Sequence, residues 1–190
     1  THTTPVKWNE ARVFLYEYYV REDGLVFDFY GREWLRGPKL GMDEKLVNIE
    51  HTWPQSRFEH GWDGERDFKF NEGLMKGDLH NLFPTSELLN SERANKPFAD
   101  VDGCDPAKSC STETTFEPPD VHKGDAARAT LYFAIRYGQT LPPELEAAMR
   151  AWNNQDPPDD AERTRNDTIA ARQGNRNPFI DDPALAEKIV

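Results

Sequence analysis

Apolar side chains recur at helical spacing between Lys7 and Val20, with Val13, Tyr16, Tyr19 and Val20 on the repeat. The pattern stops at the charged turn Glu22-Asp23-Gly24, which predicts one amphipathic helix. Leu25 to Tyr30 is a short aromatic and β-branched run and predicts a strand. Leu46 to Glu50 alternates well enough for a second strand, stopped by Pro54, and Phe68 to Phe70 supplies a return strand. Thr85 is placed to cap a helix from Ser86 to about Asn95, which Pro97 closes. Further on the chain reads as helical. Gly124 to Tyr137 ends at Gly138, Pro143 to Asn153 opens with a first-turn proline, Asp160 to Gln173 ends at Gly174, and a short piece follows Pro183. The expected class is α+β in one domain over residues 1–190. A hairpin-plus-helix unit (about 44–98) and an acidic loop (99–120) precede the helical region (121–190).

Composition changes this picture in three places. Hydrophobic residues are 37% and aromatics 12%, so the core is expected to lean on aromatic burial. No apolar run approaches the roughly 18 residues that cross a bilayer, and none reads as a signal peptide. The chain starts at Thr1 without Met, so the expectation is a processed or trimmed chain, secreted or periplasmic, whose export signal has been removed. The net charge of −11 argues against a polyanionic partner. Its distribution softens that objection. Residues 99–120 carry Asp100, Asp102, Asp105, Glu113, Glu117 and Asp120 against Lys108 alone, whereas residues 121–176 net to zero. Cys104 and Cys110 lie in that acidic loop, and a short-loop disulfide is the favoured reading over a free pair.

Candidate chemistry gathers in Glu50-His51-Thr52-Trp53-Pro54, in Asp78-Leu79-His80-Asn81-Leu82-Phe83-Pro84, and in Asn90. Phosphodiester hydrolysis needs a base for water and a cation for the charge that grows on phosphate and leaving oxygen. A neutral imidazole suits the base, and carboxylate and amide oxygens are hard ligands suited to Mg²⁺. Glu50, His51 and Asn90 are the right types for a one-metal site. Each also has an ordinary reading: a satisfied core histidine, a surface carboxylate, an asparagine on a solvated helix face.

Together these motifs resemble the bacterial endonuclease I family of periplasmic and secreted nucleases, within the ββα-metal (His-Me finger) superfamily. The likeness runs from about Asn48 to Phe179. It takes in Asn90, Arg93 and Asn95, then Arg128 before Leu131-Tyr132, Ala151-Trp152-Asn153, Arg165 and Gln173-Gly174-Asn175. The resemblance implies a ββα-metal core and a metal-dependent endonuclease of low sequence preference. Its substrates would be double- and single-stranded DNA, with RNA an open alternative, and its products 5′-phosphate and 3′-hydroxyl ends. His51 would be the general base and Glu50 and Asn90 the ligands of Mg²⁺, for which Mn²⁺ or Ca²⁺ could substitute. The Lys76 carbonyl would orient the base. Arg66, with Arg57 second, would contact the cleaved phosphate, and His80 would serve packing rather than ligation. Arg93, Arg128, Gln173 and Asn175 would contact DNA, and the protein would act as a monomer.

Arg128, Tyr132 and Arg136 recur every four residues along one predicted helical face, and Arg163, Arg165, Arg172 and Arg176 follow; a solvated face is the alternative for each arginine. The chain departs from the family where a cysteine-rich motif is common: Phe29-Tyr30-Gly31-Arg32 stands there instead. Two rival readings stay open, a non-catalytic nucleic-acid binder and a zinc-stabilised interaction domain using His51, His60, His80 and the cysteines. Because successive strand residues face opposite ways, Glu50 and His51 are expected at a strand end or bulge.

Overall fold

The computed structural model describes residues 5–37, 46–59, 61–62 and 72–189. Helix α1 (Trp8–Tyr19) buries Ala11, Phe14 and Leu15. A small antiparallel pair follows, β1 (Leu25–Phe27) with β2 (Trp34–Arg36). The central pair is β3 (Val47–His51) with β4 (Leu82–Ser86), antiparallel, in the register Glu50 opposite Phe83 and His51 opposite Leu82. Between them lies α2 (Glu72–Lys76), and α3 (Glu87–Arg93) leaves directly from β4. A third pair, β5 (Cys110–Ser111) and β6 (Phe116–Glu117), precedes four helices: α4 (Asp120–Tyr137), α5 (Pro143–Gln155), α6 (Asp160–Gln173) and α7 (Pro178–Asp181). The class is α+β, as expected.

Local chemistry explains most boundaries. Helices α4 and α6 run into Gly138 and Gly174, both left-handed, where a side chain would be strained. Asp159 caps α6 by accepting from the Glu162 amide at 2.7 Å. Helix α3 is capped by Ser86 rather than Thr85: the Ser86 hydroxyl accepts from the Leu89 amide, while Thr85 sits in β4 and donates to Asp28. Strand β4 was not expected from the sequence, and it contains Pro84. The Pro84 carbonyl accepts from the Phe29 amide, away from β3, so its missing N–H removes no rung of the β3–β4 ladder. The expected return strand Phe68–Phe70 lies outside the described residues.

Two apolar clusters flank the central hairpin. Val47, Ile49 and Leu82 join Ala11, Phe14, Leu15, Leu79 and Ile169 under α1. The larger cluster joins Tyr30, Trp53, Phe58 and Phe98 to α4 and α5 through Phe133, Met149 and Trp152, so aromatic burial does dominate. Cys104 and Cys110 form a disulfide. The acidic loop beside it turns three carboxylates onto one cation: Lys123 meets Asp100, Glu117 and Asp120 at 2.7–2.9 Å.

The arginine face of α4 points inward, which corrects the expectation that Arg128 contacts DNA. Arg128 is 1% exposed, and its Nε and Nη2 donate to the two oxygens of Glu162 at 2.7 and 2.6 Å. Its Nη1 donates to the Asp156 carbonyl. A buried pair of this kind is costly to break from one side and cheap to replace as a whole. Arg128→Met should therefore lower unfolding free energy by about 3–5 kcal/mol, and the double variant with Glu162→Met should recover most of it. Urea denaturation of the four proteins checks this; additive losses would show that the two side chains act independently.

Candidate active site

The C-terminal end of β3 opens into a cavity of about 490 Å³ lined by Glu50, His51, Gln55, by Asn90 and Arg93 of α3, and by Asn95 in the turn after it. Glu50, His51 and Asn90 are thus brought together. Strand pairing is regular through His51 and shows no bulge; the strand ends there instead. Glu50 and His51 consequently face opposite sides of β3, and both reach the cavity because it wraps the strand end.

Glu50 is 3% exposed and carries two donors on one oxygen. The Tyr30 hydroxyl donates to Oε1 at 2.8 Å and Arg93 Nη1 lies 2.9 Å from the same atom. Arg93 is fully buried, and it also donates to the carbonyls of His51 (3.0 Å) and Thr52 (2.6 Å). It is a clamp between α3 and the end of β3, and its expected place on a DNA surface is corrected accordingly. Burial pushes the Glu50 carboxyl above the usual range, against the pull of Arg93 and Tyr30.

His51 packs against Trp8 of α1 and Phe58, with ring centroids at 5.3 and 5.9 Å. Its Nε2 lies 3.0 Å from the Lys76 carbonyl, the contact the family resemblance implied. That oxygen only accepts, so Nε2 carries the proton and Nδ1 the lone pair. The exposed Gln55 amide donates to Nδ1 at 3.2 Å. Gly77, next to Lys76, lets the backbone leading into α1 pass close by: a Cβ there would lie 1.9 Å from the Val6 carbonyl oxygen.

The Asp78–Asn81 motif is scaffold. Asp78 accepts from Tyr132, Tyr137 and Gln173 at 2.8–2.9 Å. His80 is fully buried against Tyr132 and bonds the Asn175 carbonyl, which fits packing rather than ligation. Asn81 pins the turn after β3 by exchanging hydrogen bonds with both backbone groups of Trp53. Gln173 is buried in this network, which corrects its expected place on the DNA surface, and the half-buried Asn175 donates its side-chain amide to the Tyr132 hydroxyl. Arg165 is likewise internal, holding the carbonyls of Leu79 and Leu82. Arg57 stacks its guanidinium over Trp62, 5.2 Å from the ring centre. Arg66 and His60 lie outside the described residues. Tyr30 and Gln55 were not singled out from the sequence for any role at this site, because nothing local marks a tyrosine or glutamine that meets its partner through the fold.

Hard oxygen donors fit a divalent cation here. The second oxygen of Glu50 has no side-chain partner among the described residues, and neither has the Asn90 amide, which lines the same cavity. Among the described residues no group of three or more His, Cys, Asp or Glu could hold a metal, and both cysteines are bonded to each other. A zinc-type site is therefore absent from the described residues.

The endonuclease I family model matches residues 6–184, and the chain belongs to that family. An extracellular ribonuclease of Bacillus subtilis (strain 168) is 39% identical over 166 residues, covering 75% of this chain and 53% of the relative. An extracellular deoxyribonuclease of Aeromonas hydrophila is 35% identical over 152 residues, covering 71% and 66%. Endonuclease-1 of Buchnera aphidicola subsp. Baizongia pistaciae (strain Bp) is 28% identical over 151 residues, covering 70% and 61%. The chain thus spans about half to two thirds of the length of these curated relatives.

Burial gives the two internal histidines a shared pH signature. Desolvation pushes both His51 and His80 down to about 4. In the unfolded chain each takes its proton near 6.5. Between these values the unfolded state binds protons that the native state does not, so stability is full above pH 6.5 and is lost as pH falls toward 4. The expected loss is about 3 kcal/mol per histidine across that window, read from denaturation at pH 4–7. Imidazole NMR at pH 5.5 should show both rings neutral; titration of either near 6.5 would contradict the burial argument.

Proposed function

We propose that this protein is a secreted or periplasmic metal-dependent endonuclease that hydrolyses DNA and RNA phosphodiesters with little sequence preference. The supporting observation is the single cavity shared by Glu50, His51 and Asn90, with His51 held in the tautomer whose Nδ1 lone pair faces it. The curated relatives carry both ribonuclease and deoxyribonuclease names, which supports both polymers, and extracellular or periplasmic ones, which support export. Among the described residues no helix is long and apolar enough to cross a membrane.

In this reading the exposed Gln55 yields its place at Nδ1 to a water. His51 Nδ1 takes a proton from that water as the oxygen attacks phosphorus, and the Lys76 carbonyl holds the imidazolium through Nε2–H. The new P–O bond forms as the bond to the 3′-oxygen breaks, and that oxygen takes a proton from solvent water to become a hydroxyl, leaving phosphate on the 5′ side. Mg²⁺ held by Glu50 and Asn90, or Mn²⁺ or Ca²⁺ in its place, would supply the positive charge that the leaving oxygen and phosphate require. Arg66, or Arg57, is proposed to contact the cleaved phosphate. Contacts to backbone phosphates carry no sequence information, which accords with low selectivity.

His51→Ala should cut plasmid nicking by at least about 100-fold and leave DNA affinity within a factor of about two, since the imidazole acts on water. EDTA should abolish nicking and added Mg²⁺ should restore it. A His51→Ala protein that keeps a tenth of the wild-type rate would remove His51 from the role of base. Undiminished affinity with no turnover in the wild-type chain would instead favour a non-catalytic binder.

A further inference from the structure

The geometry points to Tyr30 as a positioning residue for the divalent cation, acting through Glu50; this rests on the reading of Glu50 as a metal ligand. Tyr30 is 1% exposed, and its ring packs against Phe116 and His122 with centroids at 4.8 and 5.7 Å. Phenylalanine would serve that packing equally well. The hydroxyl is the added feature, and a buried hydroxyl calls for a partner. Its partner is Glu50 Oε1.

The backbone of Tyr30 is held as firmly as its ring. Its amide donates to Asp28 Oδ1 at 2.9 Å, and its carbonyl accepts from the Ser109 hydroxyl at 2.9 Å. Ser109 belongs to the loop closed by Cys104 and Cys110. The hydroxyl therefore meets Glu50 from a fixed base.

The consequence concerns which oxygen of Glu50 a cation can take. Arginine and carboxylate prefer a two-pronged pair in which both oxygens accept. In that arrangement Arg93 would withdraw Glu50 from the cavity. Here Tyr30 and Arg93 converge on Oε1, which fixes the carboxylate plane and leaves Oε2 as the oxygen for a cation. Tyr30 on Oε1, with the His51 and Thr52 carbonyls holding the Nη1 and Nη2 of Arg93, thus keeps a two-pronged ion pair from closing the ligand.

The test is titration of the full chain with Mn²⁺ alone, reading free Mn²⁺ by electron paramagnetic resonance, for wild type, Tyr30→Phe and Glu50→Gln. Tyr30→Phe should weaken Mn²⁺ binding roughly 10- to 100-fold, the range expected when a partner of a metal ligand is lost, with little change in the unfolding midpoint. Its cleavage rate should be regained by raising Mg²⁺ in proportion, at an unchanged KM for DNA; a purely structural defect would not respond to the ion. Wild-type Mn²⁺ affinity in Tyr30→Phe, with binding lost in Glu50→Gln, would overturn the role of Tyr30 alone. Wild-type affinity in both variants would remove Glu50 from the ligand set and the inference with it.

Discussion

The guanidinium of Arg93 is the interaction on which the rest of this site depends. An unpaired cation fully removed from water costs several kcal/mol, so Arg93 can be buried only where acceptors converge on it. Three do: Glu50 Oε1 and the carbonyls of His51 and Thr52. Those contacts bind the C-terminal end of β3 to the last turn of α3. Arg93 and Tyr30 in turn pull the Glu50 carboxyl down against the desolvation that raises it. The position of Asn90, one turn earlier on α3, follows from that docking.

Two other basic side chains that looked available for substrate, Arg128 and Arg165, are likewise internal. Arg128, Tyr132 and Arg136 do share one face of α4, but Arg128 meets Glu162, while Tyr132 and Arg136 meet Asp78. A helix that is polar on its buried face gives the same i, i+4 pattern as one that is polar toward solvent.

How much was legible in the sequence varies with the range of the interaction. Helices α1, α5 and α6 could be read closely, because caps, first-turn prolines and terminal glycines act within a few residues. Helix α4 began earlier than expected: the Pro118-Pro119 pair feeds directly into it at Asp120, and the acidic residues there had suggested loop. Strand β4 was not legible, and it contains Pro84, whose tolerance depends on which side of the strand its carbonyl faces. At the site, the Glu50-His51 pair and Asn90 could be found by residue type and family likeness. Tyr30 and Gln55 could not, because their roles arise from contacts that no spacing rule encodes. Arg128 was misplaced for a related reason: its partner Glu162 lies 34 positions away and only the fold pairs them.

The dependence of the histidine scaffold on α6 has a consequence for the timing of synthesis. Leu79 and Leu82, which lead into the strand opposite His51, are held by Arg165, and Asp78 and the Leu79 amide by Gln173. A nascent chain has both halves of the hairpin once Ser86 has emerged, yet it lacks those ties until roughly ninety further residues have followed. The cleft that would attack nucleic acid is therefore assembled by its own C-terminal helices. An incompletely translated chain lacks the side chains that hold the strand opposite His51.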